Sequence, residues 1–186
     1  EEAAPVEATP MLLATPAAAD TPIAVHADKL IFDKANGVIT GIDADWLAEN
    51  KDKTLSVTIP AEIDDTLVTS IGQDAFNGKK VVAVDFSNAT NLEKIDNQAF
   101  MHSPVASVDL SNTQVTVIGK FAFGDCKSLE TFIFSNTLTS AWFFCIYRLQ
   151  TRRVYSVGGF SGKCCICVAG KLNFHWLSML QELLCS

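Results

Sequence analysis

The chain has 186 residues, room for one ordinary domain with loose ends, and its 48% apolar residues, among them 12 Phe against 3 Trp and 2 Tyr, suffice for a phenylalanine-rich core. A formal net charge of -7 excludes a general nucleic-acid binder, because phosphate recognition needs clustered Lys and Arg. No apolar run reaches the ~18 residues of a membrane-spanning helix; the longest in the tail, Ala141 to Tyr147, stops at Arg148.

Residues 1–28, opening EEAAPVEATPMLLATPAAADTP, are rich in Ala, Pro, Thr and Glu and read as a flexible tether. A start at Glu1 is what signal-peptide removal would leave, so a secreted or cell-surface protein is expected, although a trimmed chain would begin the same way. Residues 29–66 read as an N-terminal cap and lead-in strand. Within them LIFDKANGVITGI carries Asn36-Gly37 between apolar runs, a hairpin signal. The next segment, DADWLAENKD, is either a short helix capped by Asp43 or Asp45, with Trp46 and Leu47 on one side, or a loop pinned by a buried Trp.

Residues 67–136 hold three repeats: VTSIGQDAFNGKKVVAVDFSN (68–88), LEKIDNQAFMHSPVASVDLSN (92–112) and VTVIGKFAFGDCKSLETFIFSN (115–136). They align Ile71, Ile95 and Ile118; Ala75, Ala99 and Ala122; Phe76, Phe100 and Phe123; Val81, Val105 and Leu129; Val84, Val108 and Phe132; and Phe86, Leu110 and Phe134. A unit of about 24 residues cannot enclose a core alone, but stacked units share one, each apolar column becoming a ladder. The alternation at Val84-Asp85-Phe86 and its equivalents suits short strands with side chains in, out, in, lying parallel about 4.8 Å apart. Gly72, Gly78, Gly119 and Gly124 fall at expected corners. The expected fold is thus a mainly β or α/β right-handed solenoid of the leucine-rich repeat kind, with a hairpin cap and an atypical C-terminal tail.

The pattern V-T-x-I-G-x-x-A-F-x-G-C-x-x-L, present as VTSIGQDAFNG and most fully as VTVIGKFAFGDCKSL, resembles the BspA-like leucine-rich repeat proteins, and LSVTIPAEIDDTLVTSIG (55–72) is similar to the lead-in of such arrays. The resemblance covers about residues 30–136. It implies a surface or secreted protein, with adhesion to host proteins as the associated role.

After Asn136 the sequence changes character. The first 136 residues hold 20 acidic and 9 basic residues and no Arg; the last 50 hold Glu182 as their one acid, all three Arg, and five of the six Cys. Residues 137–186 are therefore expected not to continue the solenoid, and two origins stand open: translation in another reading frame, or a fused cap. Cys164, Cys165, Cys167, His175 and Cys185 have poor spacing for structural zinc, since adjacent cysteines do not readily face one metal. Leu172, Trp176, Leu180, Leu183 and Leu184 have helical spacing, so residues 171–185 suit an amphipathic helix.

No catalytic, cofactor or metal residues are expected. GGFSG (158–162) is followed by Lys163 but does not fit the Gly-x4-Gly-Lys-Ser/Thr phosphate loop, with Val157 in place of its first Gly and Cys164 in place of its hydroxyl residue, His26, His102 and His175 fall in no ligand motif, and Asp64-Asp65 reads as a solvated turn. Cys126 falls in the Cys column of the repeat and reads as a small buried apolar side chain. The expected function is a non-enzymatic module that binds a protein partner, such as a host extracellular or cell-surface protein, and neither nucleic acid nor membrane. Its expected contact residues are the outward strand positions Ala83, Asp85, Ser107, Asp109, Thr131 and Ile133. Two like charges at equivalent strand sites repel by about 1 kcal/mol in water, so Asp85 and Asp109 should face solvent as an acidic strip. The alternatives are a spacer that displays another domain and, more remotely, an enzyme acting on surface glycans.

Overall fold

The computed structural model describes residues 21–141 and the backbone of 153–156. Strand β1 (Ile23–Val25) is followed by a hairpin of β2 (Leu30–Asp33) and β3 (Val38–Ile42), helix α1 (Ala44–Glu49) and β4 (Leu55–Thr58). A small hairpin, β5 (Glu62–Ile63) and β6 (Thr66–Leu67), precedes β7 (Ser70–Ile71). From there the chain alternates between two walls: β8 (Val81–Asp85), β9 (Lys94–Ile95), β10 (Ser107–Asp109), β11 (Val117–Ile118), β12 (Thr131–Phe134), β13 (Ser140–Ala141) and β14 (Arg153–Ser156). This is a mainly β solenoid of parallel strands with little helix.

One wall orders its strands β13-β11-β9-β7-β3-β2. All its pairings are parallel except β2 with β3, and the register stacks Ile39, Ile71, Ile95, Ile118 and Ala141 in one column. Those five are at most 3% exposed. Thr side chains reinforce the stack at its edge: Thr116 Oγ1 donates to the Glu93 carbonyl at 3.3 Å and Thr139 Oγ1 to the Thr116 carbonyl at 3.0 Å.

The Ala-Phe segments form a second hydrogen-bonded side. Phe76 N–H donates to the Ala99 carbonyl and Phe100 N–H to the Ala122 carbonyl, both at 2.7 Å. Each segment keeps its peptides aimed along the stack by bending through left-handed residues, at Asp74, Gln98 and Phe121 before the Ala, and at Gly78, His102 and Asp125 two residues after the Phe. Only one of these six is glycine; Asp74, Gln98 and His102 are held in a region that side chains disfavour by N–H bonds to the Asn97, Lys120 and Gly124 carbonyls of the next turn. Inside, Phe76, Phe100 and Phe123 stack with centroids 4.8 and 5.0 Å apart. Phe86 meets Phe100 edge-on at 6.2 Å, and Phe132 meets Phe123 at 5.1 Å.

The other wall consists of β1-β4-β8 and β10-β12-β14, all pairings parallel. A hydrogen bond from Ala106 N–H to the Val82 carbonyl, 3.0 Å, joins the two groups. Pro104, the equivalent of Lys80 one turn on, brings no N–H to that junction. Val84 is only half-buried, unlike Val108 and Phe132 in its column, because the register of β4 against β8 shifts between Leu55 and Ser56.

At the N-terminal end the hairpin joins the solenoid as its first rung. Its connection is longer than Asn-Gly implies: Asp33 pairs with Val38, Asp33 accepts from Ala35 N–H and Asn36 Nδ2, and only Gly37 is left-handed, at φ 67°. Asp43, not Asp45, caps α1 by accepting from Trp46 N–H at 2.8 Å. Asp64 and Asp65, at φ 48° and 61°, make the two-residue turn between β5 and β6, where both central residues must be left-handed.

Two boundaries differ from expectation. Residues 23–28 do not belong to a tether, because β1 pairs with β4, burying Val25. Parallel pairing also does not stop at Asn136. Ser140-Ala141 pairs with Val117-Ile118, and 153–156 pairs with 131–134. Backbone hydrogen bonds such as Thr139 N–H to the Thr116 carbonyl, 2.9 Å, do not depend on side-chain identity. The remaining tail, with the cysteine group around Cys164 and the helical pattern of 171–185, lies outside the described residues.

Candidate partner-binding face

Alternation along β8, β10 and β12 puts one set of side chains into the core and the other outside. Ala83, Asp85, Ser107 and Asp109 are exposed, and Thr131 and Ile133 half-exposed. Register places Ser107 beside Thr131 and Asp109 beside Ile133, while Ser56 and Thr58 of β4 lie beside Ala83 and Asp85. The six expected residues therefore share one face, which runs from polar Ser56 and Thr58 through two carboxylates to the more neutral Thr131 and Ile133.

Both carboxylates also have a local task. Asp85 accepts from Ser87 N–H and Asp109 from Ser111 N–H, each at 2.9 Å, closing the same turn at the end of each strand. The hydroxyl and N–H of Ser87 hold the Asp85 carboxyl below its usual range. The repeated Asp-x-Ser in VDFS and VDLS carried this signal, and the outward-strip reading missed it.

The other groups weighed in the sequence have structural places. Cys126 is fully buried, and its Sγ donates to the Phe100 carbonyl at 3.1 Å. Ser103 occupies the same column and donates from Oγ to the Phe76 carbonyl at 2.6 Å. Burial pushes the Cys126 thiol up to about 12, so at neutral pH there is no thiolate to act as nucleophile or ligand. Iodoacetamide at pH 8 should leave Cys126 unlabelled in the native protein and modify it once urea unfolds the chain, as read by peptide mass mapping. Labelling of native Cys126 as fast as of a free thiol would contradict the buried assignment.

His102 is exposed and its Nδ1 lies 3.7 Å from Asp125 Oδ2. Asp64 pairs with Lys34 at 3.0 Å between the tips of the two hairpins. Among the described residues no group of three His, Cys, Asp or Glu is placed to hold a metal ion, and no helix is long and apolar enough to cross a membrane.

Stacked parallel strands, column ladders and an open outer face define a leucine-rich repeat solenoid. Residues 49–156 match, in six copies, the BspA type leucine rich repeat region, and the chain belongs to that family. The match begins before and ends after the three repeats read at 67–136, in line with the strand pairing. Among solved structures the chain is similar to a leucine-rich repeat protein of T. pallidum, 17% identical, over 86% of this chain and 95% of that chain, with a TM-score of 0.42. No curated protein matches.

Proposed function

We propose that this chain is a non-catalytic, surface-displayed or secreted module that binds a protein partner through the outer face of β4, β8, β10 and β12. The observation that supports this reading most is the gathering of Ala83, Asp85, Ser107, Asp109, Thr131 and Ile133 on one solvent-facing strip of parallel strands. Paired carboxylates there favour a basic or polar protein and disfavour nucleic acid and anionic lipid. A spacer that displays another domain is the second reading. The Asp85 and Asp109 turns favour it, because they account for both residues without a partner.

Surface-immobilised chain, probed with a panel of purified extracellular matrix and cell-surface proteins, separates the two. Asn keeps the acceptor that closes each turn and removes only the charge. Asp85→Asn with Asp109→Asn should therefore weaken capture about tenfold, the loss of some 1.4 kcal/mol, while Asp85→Lys with Asp109→Lys should abolish it. Capture unchanged in both variants would reject this face, and no capture from the panel by the unaltered chain would leave the spacer.

A further inference from the structure

The chain contains Asn-Gly twice, both times within Asp-x-x-Asn-Gly, at Asp33 to Gly37 and at Asp74 to Gly78. Around each Asn-Gly step the two turns are built alike. Asn36 N–H donates to the Asp33 carbonyl at 3.3 Å and Asn77 N–H to the Asp74 carbonyl at 3.1 Å. Each Asn amide also donates from Nδ2 to the carboxylate of its own Asp at 2.7 Å, and each Gly is left-handed, at φ 67° and 66°. They differ at the glycine nitrogen. Gly78 N–H donates to the Met101 carbonyl of the next turn at 2.8 Å, whereas Gly37 N–H meets no acceptor among the described residues, although Gly37 is buried. A buried peptide N–H without a partner is rare. The asparagines differ too, Asn36 being exposed and Asn77 half-buried.

We infer that Asn36-Gly37 is a site of spontaneous deamidation in the folded protein, and that the solenoid protects the matching Asn77-Gly78. Glycine has no Cβ to keep its nitrogen from the side chain before it. Gly37 N gives up its proton to hydroxide and attacks Asn36 Cγ. The new N–Cγ bond closes a cyclic imide as the Cγ–Nδ2 bond breaks, and the amide leaves as ammonia with a proton taken from water. Water then opens the imide at either carbonyl. Cleavage of the new bond leaves Asp; cleavage of the original peptide bond leaves isoaspartate, with the main chain running through the former side chain. The sum is amide plus water giving acid plus ammonia. At Asn77 the same step must first break the Gly78 bond to Met101, and a net hydrogen-bond contribution of this kind is worth about a factor of ten in rate.

The product does not suit the turn in which it forms. The Asn36 amide holds the Asp33 carboxyl below its usual range, and deamidation sets a second carboxylate against that charge where a donor stood. Isoaspartate also adds a methylene to the main chain just before Gly37, whose carbonyl accepts from Thr69 N–H at 2.9 Å and Ser70 N–H at 3.2 Å. Those bonds tie the start of β3 to β7, so the modification loosens the first turn of the solenoid.

Ageing the full chain in mildly alkaline buffer, with reductant present to keep the tail thiols from cross-linking, tests this. Peptide mass mapping that separates Asn, Asp and isoaspartyl forms reads both sites in one sample. Asn36 should convert about tenfold faster than Asn77 in the native protein, and the two rates should converge in guanidinium chloride, where the bond to Met101 is gone. The melting temperature should fall as Asn36 converts. Asn36→Gln, whose longer side chain closes the ring far less readily, should remove both the conversion at this position and the fall; a melt of the fresh variant matching that of the fresh unaltered chain confirms its fold. Native Asn77 converting as fast as Asn36 overturns the inference. So does a native Asn36 that stays intact while the unfolded chain converts, or a ratio of rates that survives unfolding. A melting temperature indifferent to the conversion overturns its effect on the first turn.

Discussion

Replacing Phe100 by alanine should cost about 3 to 5 kcal/mol, the range for truncating a buried aromatic, with the result near its upper end. The cost depends on how far the surroundings collapse into the space left behind, and here they are held apart. Phe76 and Phe123 lie on either side of the Phe100 ring at 4.8 and 5.0 Å, and Phe86 closes it edge-on. The segments carrying these rings are spaced by 2.7 Å peptide hydrogen bonds from Phe76 to Ala99 and from Phe100 to Ala122. For the rings to close the gap those bonds would have to break, so most of the cavity persists. Each stacked pair also adds about 0.5 to 1.5 kcal/mol beyond its burial, and Phe100 takes part in two. Urea melts that showed a loss below about 1 kcal/mol would mean that the three phenylalanines do not form one shared core.

The ladder was legible because identical residues recur at constant spacing when each must fill the same place in successive turns. Ile71, Ile95 and Ile118, and Phe76, Phe100 and Phe123, are each paired or stacked as their spacing predicts. Less legible was anything that depends on a partner distant in sequence. Nothing in Ile23-Ala24-Val25 marks a strand until β4 supplies the other half of the pair. The continuation after Asn136 was readable, but at a different offset. Leu138-Thr139-Ser140-Ala141 repeats Val115-Thr116-Val117-Ile118 after a step of 23, the same step that separates Ile95 from Ile118. Its Ala in place of Ile, and the loss of the Ala-Phe pair beyond it, hide the rung within a pattern of period 24.

At the candidate face, alternation alone was enough to say which side chains point outward, and the exposures of Ala83, Asp85, Ser107 and Asp109 follow it. What each outward residue does was not equally visible. An aspartate at a strand end satisfies a turn N–H as readily as it meets a partner, and Asp85 and Asp109 do the former within their own chain. Substitution by Asn is therefore more informative than substitution by Ala, which would remove the charge and open the turn together.

The second large effect concerns a glycine whose importance lies in space rather than in backbone conformation. Gly119 was expected at a corner, but it is buried and its φ is not in the left-handed region. It sits where β11 leaves its strand, and its N–H donates to the Ile95 carbonyl at 2.8 Å. A Cβ there would lie 2.5 Å from Asn97 N, 2.6 Å from the Asp96 carbonyl carbon and 2.8 Å from Asn97 Oδ1. Two of those three contacts are backbone, so no side-chain rotation relieves them. Asn97 is itself fixed, since its Oδ1 accepts from Lys120 N–H at 2.8 Å. Gly119→Ala must therefore push two turns apart at the rung that carries Ile95 and Ile118, and should destabilise by about 1 to 3 kcal/mol, the range for forcing extra volume into a packed site. Gly78→Ala is the comparison: a Cβ there meets nothing within 4 Å, and its cost comes from the left-handed φ of 66° alone, roughly 1 to 2 kcal/mol. In urea melts the Gly119 variant should lose at least as much as the Gly78 variant, and adding Asn97→Ala should recover part of the loss by removing the Oδ1 contact. A Gly119→Ala protein as stable as the parent would mean that the turns are not packed this closely at Asn97.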